Sequence, residues 1–91
     1  MIALDPYLIA QTAIANLKAS VRLVLERGPS EGMTNAEIGR TLGIYTGHKG
    51  HEGHVSRTLL SALEAEGVAK QDKTSKRWTL RVHDGDDGAE P

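Results

Sequence analysis

The chain contains no cysteine, and this absence excludes two common ways of stabilising a small protein. Neither a disulfide framework nor a metal site with thiolate ligands can form. With 91 residues the chain is long enough for one small domain, which buries only a modest core. The packing of apolar side chains must therefore supply the stability of that domain.

The sequence also lacks an unbroken apolar run. Its longest apolar stretch spans residues 4–25. The polar and charged residues that interrupt this stretch are Asp5, Gln11, Asn16, Lys18 and Arg22. A membrane span or a secretory signal has a more continuous apolar segment. We therefore expect a cytoplasmic protein with no membrane contact.

A large net charge is also missing, since the formal charge is −1 at pH 7. The charges are nevertheless unevenly distributed along the chain. Four of the 12 acidic residues lie in residues 84–91, whereas residues 39–82 carry eight basic and four acidic side chains. A local surplus of this size favours nucleic-acid binding only slightly, because many solvated surfaces have one. Residues 83–91 predict a disordered acidic tail behind a domain of residues 1–82.

What the sequence does contain is a regular series of helix signals. Asp5 before Pro6 is typical of a helix start, and Gly28 before Pro29 of a helix end. The spacing of apolar residues predicts a helix over residues 6–27. Its expected buried stripe consists of Ile14, Leu17, Val21, Val24 and Leu25. Further apolar residues at positions 2–9 exceed what a small core needs. We expect them to pack on a second copy, in a homodimer through this helix, or on a missing domain.

A second, short helix is predicted between Thr34 and Gly43. Thr34 followed three residues later by Glu37 forms a capping box, and Gly43 permits the left-handed residue that ends a helix. Gly39 inside this helix costs about 1 kcal/mol relative to alanine. A close approach by the next helix would explain that glycine.

The third predicted helix follows a glycine-rich loop. Four glycines between positions 43 and 53 exclude a regular helix there, so we expect the third helix over about residues 51–66. Its inward side should consist of Val55, Leu59, Ala62 and Leu63. Its opposite, polar arc should consist of His54, Arg57, Thr58, Ser61 and Glu64.

Beyond Gly67, two alternating segments predict a hairpin. Residues 68–72 and 76–82 would form its strands around a turn at residues 73–75. We expect Val68, Trp78 and Leu80 to face the helices, with Trp78 in the core rather than stacked on a base. The cations Lys70, Lys73, Lys76 and Arg77 would then lie on the outer side of the hairpin.

Residues 34–80 resemble the winged helix-turn-helix domains of DNA-binding proteins. The resemblance is carried by "TNAEIGRTLGI", by "VSRTLLSALEAEGVAKQD" and by "KRWTL". It implies a mainly α fold with a small β-hairpin, that is, a three-helix core plus a wing. The loop and helix start "GHKGHEGHVSRTLL" is similar to winged-helix modules appended to some restriction endonucleases, including modification-dependent ones. This second similarity implies a DNA-reading module without a nuclease.

The resemblance implies non-catalytic binding of double-stranded DNA, with no cofactor. The third helix would occupy the major groove and the wing at residues 68–82 would contact the backbone. The groove-facing candidates are His51, His54, Arg57, Thr58 and Ser61. The phosphate candidates are Lys49, Lys73, Lys76 and Arg77, with Asn35 and Arg40 from the second helix. Whether the output is transcription regulation or restriction, and whether methylated bases are preferred, stays open.

Two alternatives remain. A winged helix can serve protein–protein interaction or dimerisation instead of DNA binding. Alternatively, His48, His51 and His54 are spaced by three residues, and three imidazoles could bind zinc for phosphodiester hydrolysis. The sequence disfavours this metal-dependent nuclease, because a glycine-rich loop does not orient the first two histidines and no further ligand cluster completes a catalytic site.

Overall fold

The computed structural model describes residues 4–47 and 52–81, and it is mainly helical with a small antiparallel hairpin. This confirms the expected fold class at that level. The elements in chain order are α1 (Pro6–Arg27), α2 (Asn35–Leu42), α3 (His54–Ala65), β1 (Ala69–Gln71) and β2 (Trp78–Leu80). The predicted acidic tail at residues 83–91 lies outside the described residues.

The bounds of α1 follow from its terminal residues, as predicted. The Asp5 side chain accepts a hydrogen bond of 2.9 Å from the Tyr7 backbone N–H, and Pro6 occupies the first turn. Gly28 ends the helix in an extended conformation. A Cβ atom at Gly28 would lie 2.9 Å from the Val24 carbonyl oxygen and 2.9 Å from the Met33 Sδ atom. Pro29 disfavours a helical conformation for the residue before it.

The predicted signals of α2 are likewise confirmed. The Thr34 hydroxyl accepts from the Glu37 N–H at 3.2 Å, and the Glu37 carboxylate accepts from the Thr34 N–H at 3.0 Å. Gly43 adopts the left-handed conformation with φ 74°, and the Ile44 N–H donates to the Gly39 carbonyl at 2.8 Å. The capping box and the glycine stop thus satisfy backbone groups at both ends of this eight-residue helix.

The predicted start of α3 was wrong. The helix begins at His54, not near residue 51 or 52. Gly53 precedes it with φ 82°, in the left-handed region that a helical residue does not adopt. A Cβ atom at Gly53 would lie 2.6 Å from the Tyr45 ring. Tyr45, eight residues earlier in the chain, therefore packs where a side chain at position 53 would lie, and only glycine fits before the helix.

The hairpin strands are shorter than predicted, with three residues each. The turn occupies more of the segment, because the Asp72 carboxylate accepts hydrogen bonds from the backbone N–H groups of Thr74 and Ser75 at 3.0 and 2.7 Å. Lys76 then adopts a positive φ of 66°. The register pairs Ala69 with Leu80 and Gln71 with Trp78.

A third segment joins this hairpin through Met33. The Met33 N–H donates to the Trp78 carbonyl at 3.0 Å, and the Trp78 N–H donates to the Met33 carbonyl at 2.7 Å. No pattern in the sequence predicted this bridge. It ties the connection between α1 and α2 to the hairpin, and so fixes the hairpin against the helices.

The core lies between the second half of α1, the other two helices and the hairpin. Its buried apolar members are Val21, Leu25, Ile38, Leu59, Leu60, Leu63, Ala69 and Trp78. The expected core position of Trp78 is confirmed, and the half-buried Val68 and Leu80 pack against the core as expected. Ile14 was wrongly assigned to the buried stripe, since 41% of it is exposed. The other elements cover α1 only from about Leu17 onward, so the stripe continues beyond the core.

By length and composition, α1 is also able to cross a membrane. Its most apolar segment has a mean hydropathy of 1.3, although polar residues interrupt it. One such helix is weak evidence, because the mostly buried core helices of soluble proteins and N-terminal signal sequences pass the same criterion. Only 11% of the segment in α1 is buried. The location of the protein therefore stays a prediction.

Candidate nucleic-acid interface

Helix α3 has one buried side and one exposed side. Leu59, Leu60 and Leu63 are buried in the core, together with Ser56, which is completely buried. The exposed residues include four members of the predicted arc, namely His54, Arg57, Thr58 and Ser61. We call these four residues the α3 arc. Their helical spacing places hydrogen-bonding side chains along a single solvent-facing stripe that begins at the first residue of the helix.

The side chains of the α3 arc differ in how many of their hydrogen-bonding groups are already used within the protein. The Thr58 hydroxyl donates to the His54 carbonyl at 2.8 Å, so its proton is used within the helix and its oxygen can still accept. One guanidinium nitrogen of Arg57 lies 3.5 Å from the Glu52 carbonyl oxygen, at the limit of a hydrogen bond. Most donors of Arg57 therefore point to solvent.

A polar contact between α2 and α3 positions the arc. The Asn35 side-chain N–H donates to the Gly53 carbonyl at 3.0 Å, and the buried Ser56 hydroxyl donates to the same carbonyl at 3.1 Å. The Asn35 Oδ1 atom is buried and accepts from no donor within residues 4–47 and 52–81. Asn35 was predicted to contact the DNA backbone. The structure gives it a contact that holds the start of α3.

Close packing at Gly39 brings α2 and α3 together. A Cβ atom at Gly39 would lie 3.0 Å from the Ser56 hydroxyl and 3.0 Å from the Tyr45 ring. This is the close approach that the glycine in α2 predicted. Arg40 extends the same contact outward, since its guanidinium lies 4.6 Å from the centre of the Tyr45 ring. Arg40 remains exposed and can still reach a phosphate.

The hairpin carries exposed cations near its turn. Lys70, Lys73 and Lys76 are exposed, and none forms an ion pair with any residue in the described parts of the chain. Lys70 and Lys73 line a polar groove of about 670 Å³, together with Glu31 and Asp72. The outer side of the hairpin therefore combines three lysines with nearby acidic side chains, and its positive charge is local rather than extended.

Arg77 occupies a different environment from the lysines. Its Nη1 atom donates to the Gly32 carbonyl at 2.9 Å and to a Glu37 carboxylate oxygen at 3.1 Å. The side chain thus joins the hairpin to the start of α2. Arg77 was predicted as a phosphate ligand, but part of its guanidinium already neutralises Glu37. Sequence reasoning missed this pairing, although the capping box had already placed the Glu37 carboxylate at the α2 start.

Two carboxyl groups are stabilised in their charged form. The hydrogen bond from the Thr34 backbone N–H holds the pKa of Glu37 below its ordinary value. Desolvation opposes this effect, and the nearby Arg77 charge lowers the pKa further. The hydrogen bonds of Ser75, and more weakly the Thr74 N–H, lower the pKa of Asp72. Both carboxylates organise loops or helix ends beside the hairpin.

These pKa shifts predict a loss of stability in acid. A carboxyl group whose folded-state pKa is lowered contributes stability above its unfolded-state pKa, about 4 for Asp and Glu, and this contribution disappears as the pH falls through the folded value. We expect the melting temperature to fall between about pH 5 and about pH 3. Glu37→Gln should make that fall smaller, as measured by thermal unfolding followed by circular dichroism.

Glu26→Gln is the matched control for this experiment, because Glu26 is exposed on α1 and has no hydrogen bond or ion pair within the described residues. It should leave the pH dependence of the melting temperature unchanged. Equal acid sensitivity in wild type and Glu37→Gln would contradict the assigned role of the Glu37 contacts.

The remaining predicted residues fall in a part of the chain that is not described. His48, Lys49 and His51 lie outside the described residues, so the suggested zinc site of His48, His51 and His54 has no geometry to evaluate. Residues 4–47 and 52–81 contain no group of three or more side chains suited to holding a metal ion. Of the three histidines, only His54 has a described position, at the start of α3.

Comparison of the chain with models of protein families, with curated proteins and with solved structures found no match. The functional interpretation therefore rests on the residues and their arrangement.

Proposed function

We propose that this chain is a winged helix-turn-helix domain that binds double-stranded DNA without catalysing a reaction. The observation that carries the proposal is the α3 arc, an exposed polar stripe on a helix whose other side is anchored in the core. The order of three helices followed by an antiparallel hairpin supports it, because winged helices have this order.

In this proposal α3 enters the major groove. That groove admits one helix and displays hydrogen-bonding groups that distinguish all four base pairs. Arg57 is the principal reader, since an arginine can donate to both acceptors of a guanine edge. His54 and Ser61 lie one turn to either side and can donate to base edges or phosphates. Thr58 contributes chiefly as an acceptor, because its proton is bonded to the helix backbone.

The hairpin serves as the wing in this arrangement. Lys73 and Lys76 contact phosphates next to the groove that α3 occupies, while Arg40 approaches the backbone from α2. Asn35 and Arg77 support the interface from behind. They hold the start of α3 and the base of the hairpin through the bonds to Gly53 and Glu37. His51 and Lys49 remain candidates from the adjoining loop.

Selection from a random duplex pool tests the proposal directly. The isolated chain would be mixed with duplexes that either carry or lack methylated cytosine, and the bound fragments would be sequenced. Enrichment of a motif in either pool supports sequence-specific binding, and enrichment only in the methylated pool identifies a modification-dependent reader. A lack of enrichment in both pools, together with no salt-dependent affinity for DNA, would contradict the proposal.

Arg57→Ala should weaken binding to a selected duplex by about 5-fold to 150-fold, which corresponds to the 1–3 kcal/mol of a bidentate guanine contact. It should also relax the preference at one base pair. Fluorescence anisotropy with a labelled duplex measures both effects. Arg22→Ala is the control, because it removes the same charge from an exposed site on α1. Equal weakening by the two variants would leave Arg57 with no reading role.

Lys73→Gln should act differently from Arg57→Ala. Removing a phosphate contact weakens binding to all sequences similarly and reduces the slope of log affinity against log salt by about one. Anisotropy titrations at several salt concentrations measure this slope. A loss of preference for particular sequences after Lys73→Gln would contradict a phosphate role.

An interaction module is the second candidate function. The observation that favours it is the apolar surface just before and at the start of α1, where Leu4, Tyr7 and Leu8 are each more than half exposed. This surface is compatible with DNA binding, since it lies on a part of α1 that the other elements do not cover. Assembly through α1 without measurable DNA affinity would favour the interaction module.

A further inference from the structure

Half of α1 has no covering element. Residues 4–16 are all exposed, while Leu17, Val21 and Leu25 contact the core. Most surface helices of soluble proteins bury their apolar stripe against a core. An exposed apolar segment of this length is therefore a candidate contact surface.

The apolar stripe of α1 follows a seven-residue repeat that continues through both halves. Two positions of the repeat form the stripe. They are occupied by Tyr7, Ile14 and Val21, and by Ala10, Leu17 and Val24. This is the spacing of residues in the seam between two helices of a coiled coil. The second half of the seam faces the domain's own core, and the first half faces solvent.

Residues 6–17 contain no charged side chain, so the seam and its flanks are electrically neutral. A second copy of the same helix meets no like-charge repulsion there. A partner with a strongly charged surface would instead have to lose hydration without gaining an ion pair. Neutrality and self-complementary spacing together favour a second copy of this chain over a charged partner.

We propose that two copies of the chain pair antiparallel through the first half of α1. Centred near Thr12, this pairing sets Tyr7 against Leu17 of the second copy and Ala10 against Ile14 of the second copy. Each of these facing pairs then combines a larger and a smaller side chain. A twofold axis relates the two copies, as in most homodimers.

The position of each domain's core determines whether the two helices pair parallel or antiparallel. Val21 is fully buried, so a parallel pair could not continue along the seam beyond Leu17 without two domain bodies meeting at the same level. In the antiparallel pair the two bodies lie at opposite ends of the shared segment. Its 12 residues, 6–17, extend about 18 Å at 1.5 Å per residue.

The exposed fractions predict a dimer of modest affinity. Tyr7 is 67% exposed and Ile14 is 41% exposed. Pairing of the two segments would bury on the order of 1,000 Å² in total, which is at the lower end of specific interfaces, where weak and transient contacts are found. The proposal does not depend on DNA binding.

Sedimentation equilibrium of the full chain across the micromolar range tests the association in the absence of DNA. The wild type should show a reversible monomer–dimer equilibrium, with a dimer of twice 9.8 kDa. Ile14→Glu should raise the dissociation constant by about 100-fold or more, because each copy loses an apolar contact and gains a charge at the seam. Thr12→Glu introduces the same charge on the opposite side of the exposed helix and should leave the constant nearly unchanged.

Circular dichroism separates assembly from folding in these variants. Both substitutions are at exposed positions, so the monomers should keep the same helix content. A wild type that stays monomeric throughout would overturn the proposal, as would equal effects of the two substitutions on the dissociation constant. Binding of monomeric protein to phosphatidylcholine vesicles, abolished by Ile14→Glu, would overturn it in favour of a lipid surface.

The absence of cysteine provides a test of direction, since a single introduced thiol labels one site per chain. A spin label at Leu23→Cys lies 11 residues from the centre near Thr12. In an antiparallel dimer the two labels are therefore separated by about 33 Å along the helix axis, and in a parallel dimer they lie at the same level. A distance measured by pulsed electron resonance well below about 30 Å would overturn the antiparallel arrangement.

Discussion

Gly32→Ala should destabilise the folded domain by about 3 kcal/mol or more. Gly32 has φ 93°, which side chains with a Cβ atom rarely adopt, and a Cβ atom there would lie 2.4 Å from the Trp78 carbonyl oxygen. That carbonyl accepts the Met33 N–H, so relief of the collision would break the bridge between Met33 and the hairpin. Urea unfolding followed by circular dichroism measures the free energy of unfolding.

Gly67→Ala provides a control for backbone strain alone. Gly67 also has a positive φ, 77°, but a Cβ atom there would meet nothing within 4 Å. The free energy of unfolding of Gly67→Ala should be lower only by the conformational cost of about 1–2 kcal/mol. The difference between the two variants then measures the collision with Trp78. Equal losses in both variants would show that the approach of Gly32 to the hairpin does not contribute to stability.

Leu60→Ala should cost about 2–5 kcal/mol, because it leaves a cavity in a packed core. Leu60 is completely buried in the part of α3 that faces the other helices. Small domains are stable by only about 5–15 kcal/mol, so this one substitution removes a large share of the total. The free energy of unfolding from urea titration gives the loss. The affinity of Leu60→Ala for DNA should fall only under conditions where this variant is unfolded.

The matched control is Leu23→Ala on α1. Leu23 is 44% exposed, so the same truncation removes fewer buried contacts and should cost well under half as much as Leu60→Ala. Comparable losses at the two positions would contradict the location of the core between α3 and the second half of α1.

Signals that act between neighbouring residues were readable from the sequence. The capping box of Thr34 and Glu37 and the left-handed Gly43 need only residues within a few positions, and both are present in the structure. The bounds of α1 follow from Asp5 and Gly28 in the same way. The burial of Trp78 followed from alternation along a strand.

Contacts between residues further apart were not readable in this way. Gly53 packs against Tyr45, eight residues earlier in the chain, and no local signal marked the shift from residue 51 or 52 to His54. The exposure of Ile14 depends on where α2, α3 and the hairpin stop covering α1, which the periodicity of a single helix does not reveal.

The candidate site shows the same division. The α3 arc followed from helical spacing, because residues three and four apart share one side of any helix. The roles of Arg77 and Asn35 depend on Glu37 and Gly53, which lie 40 and 18 residues away along the chain. Residue types and spacing therefore identified the three helices, the caps of α1 and α2, and the polar arc. Only the packing of distant segments showed which polar side chains hold the helices and hairpin together, because that packing brings their partners within hydrogen-bonding distance.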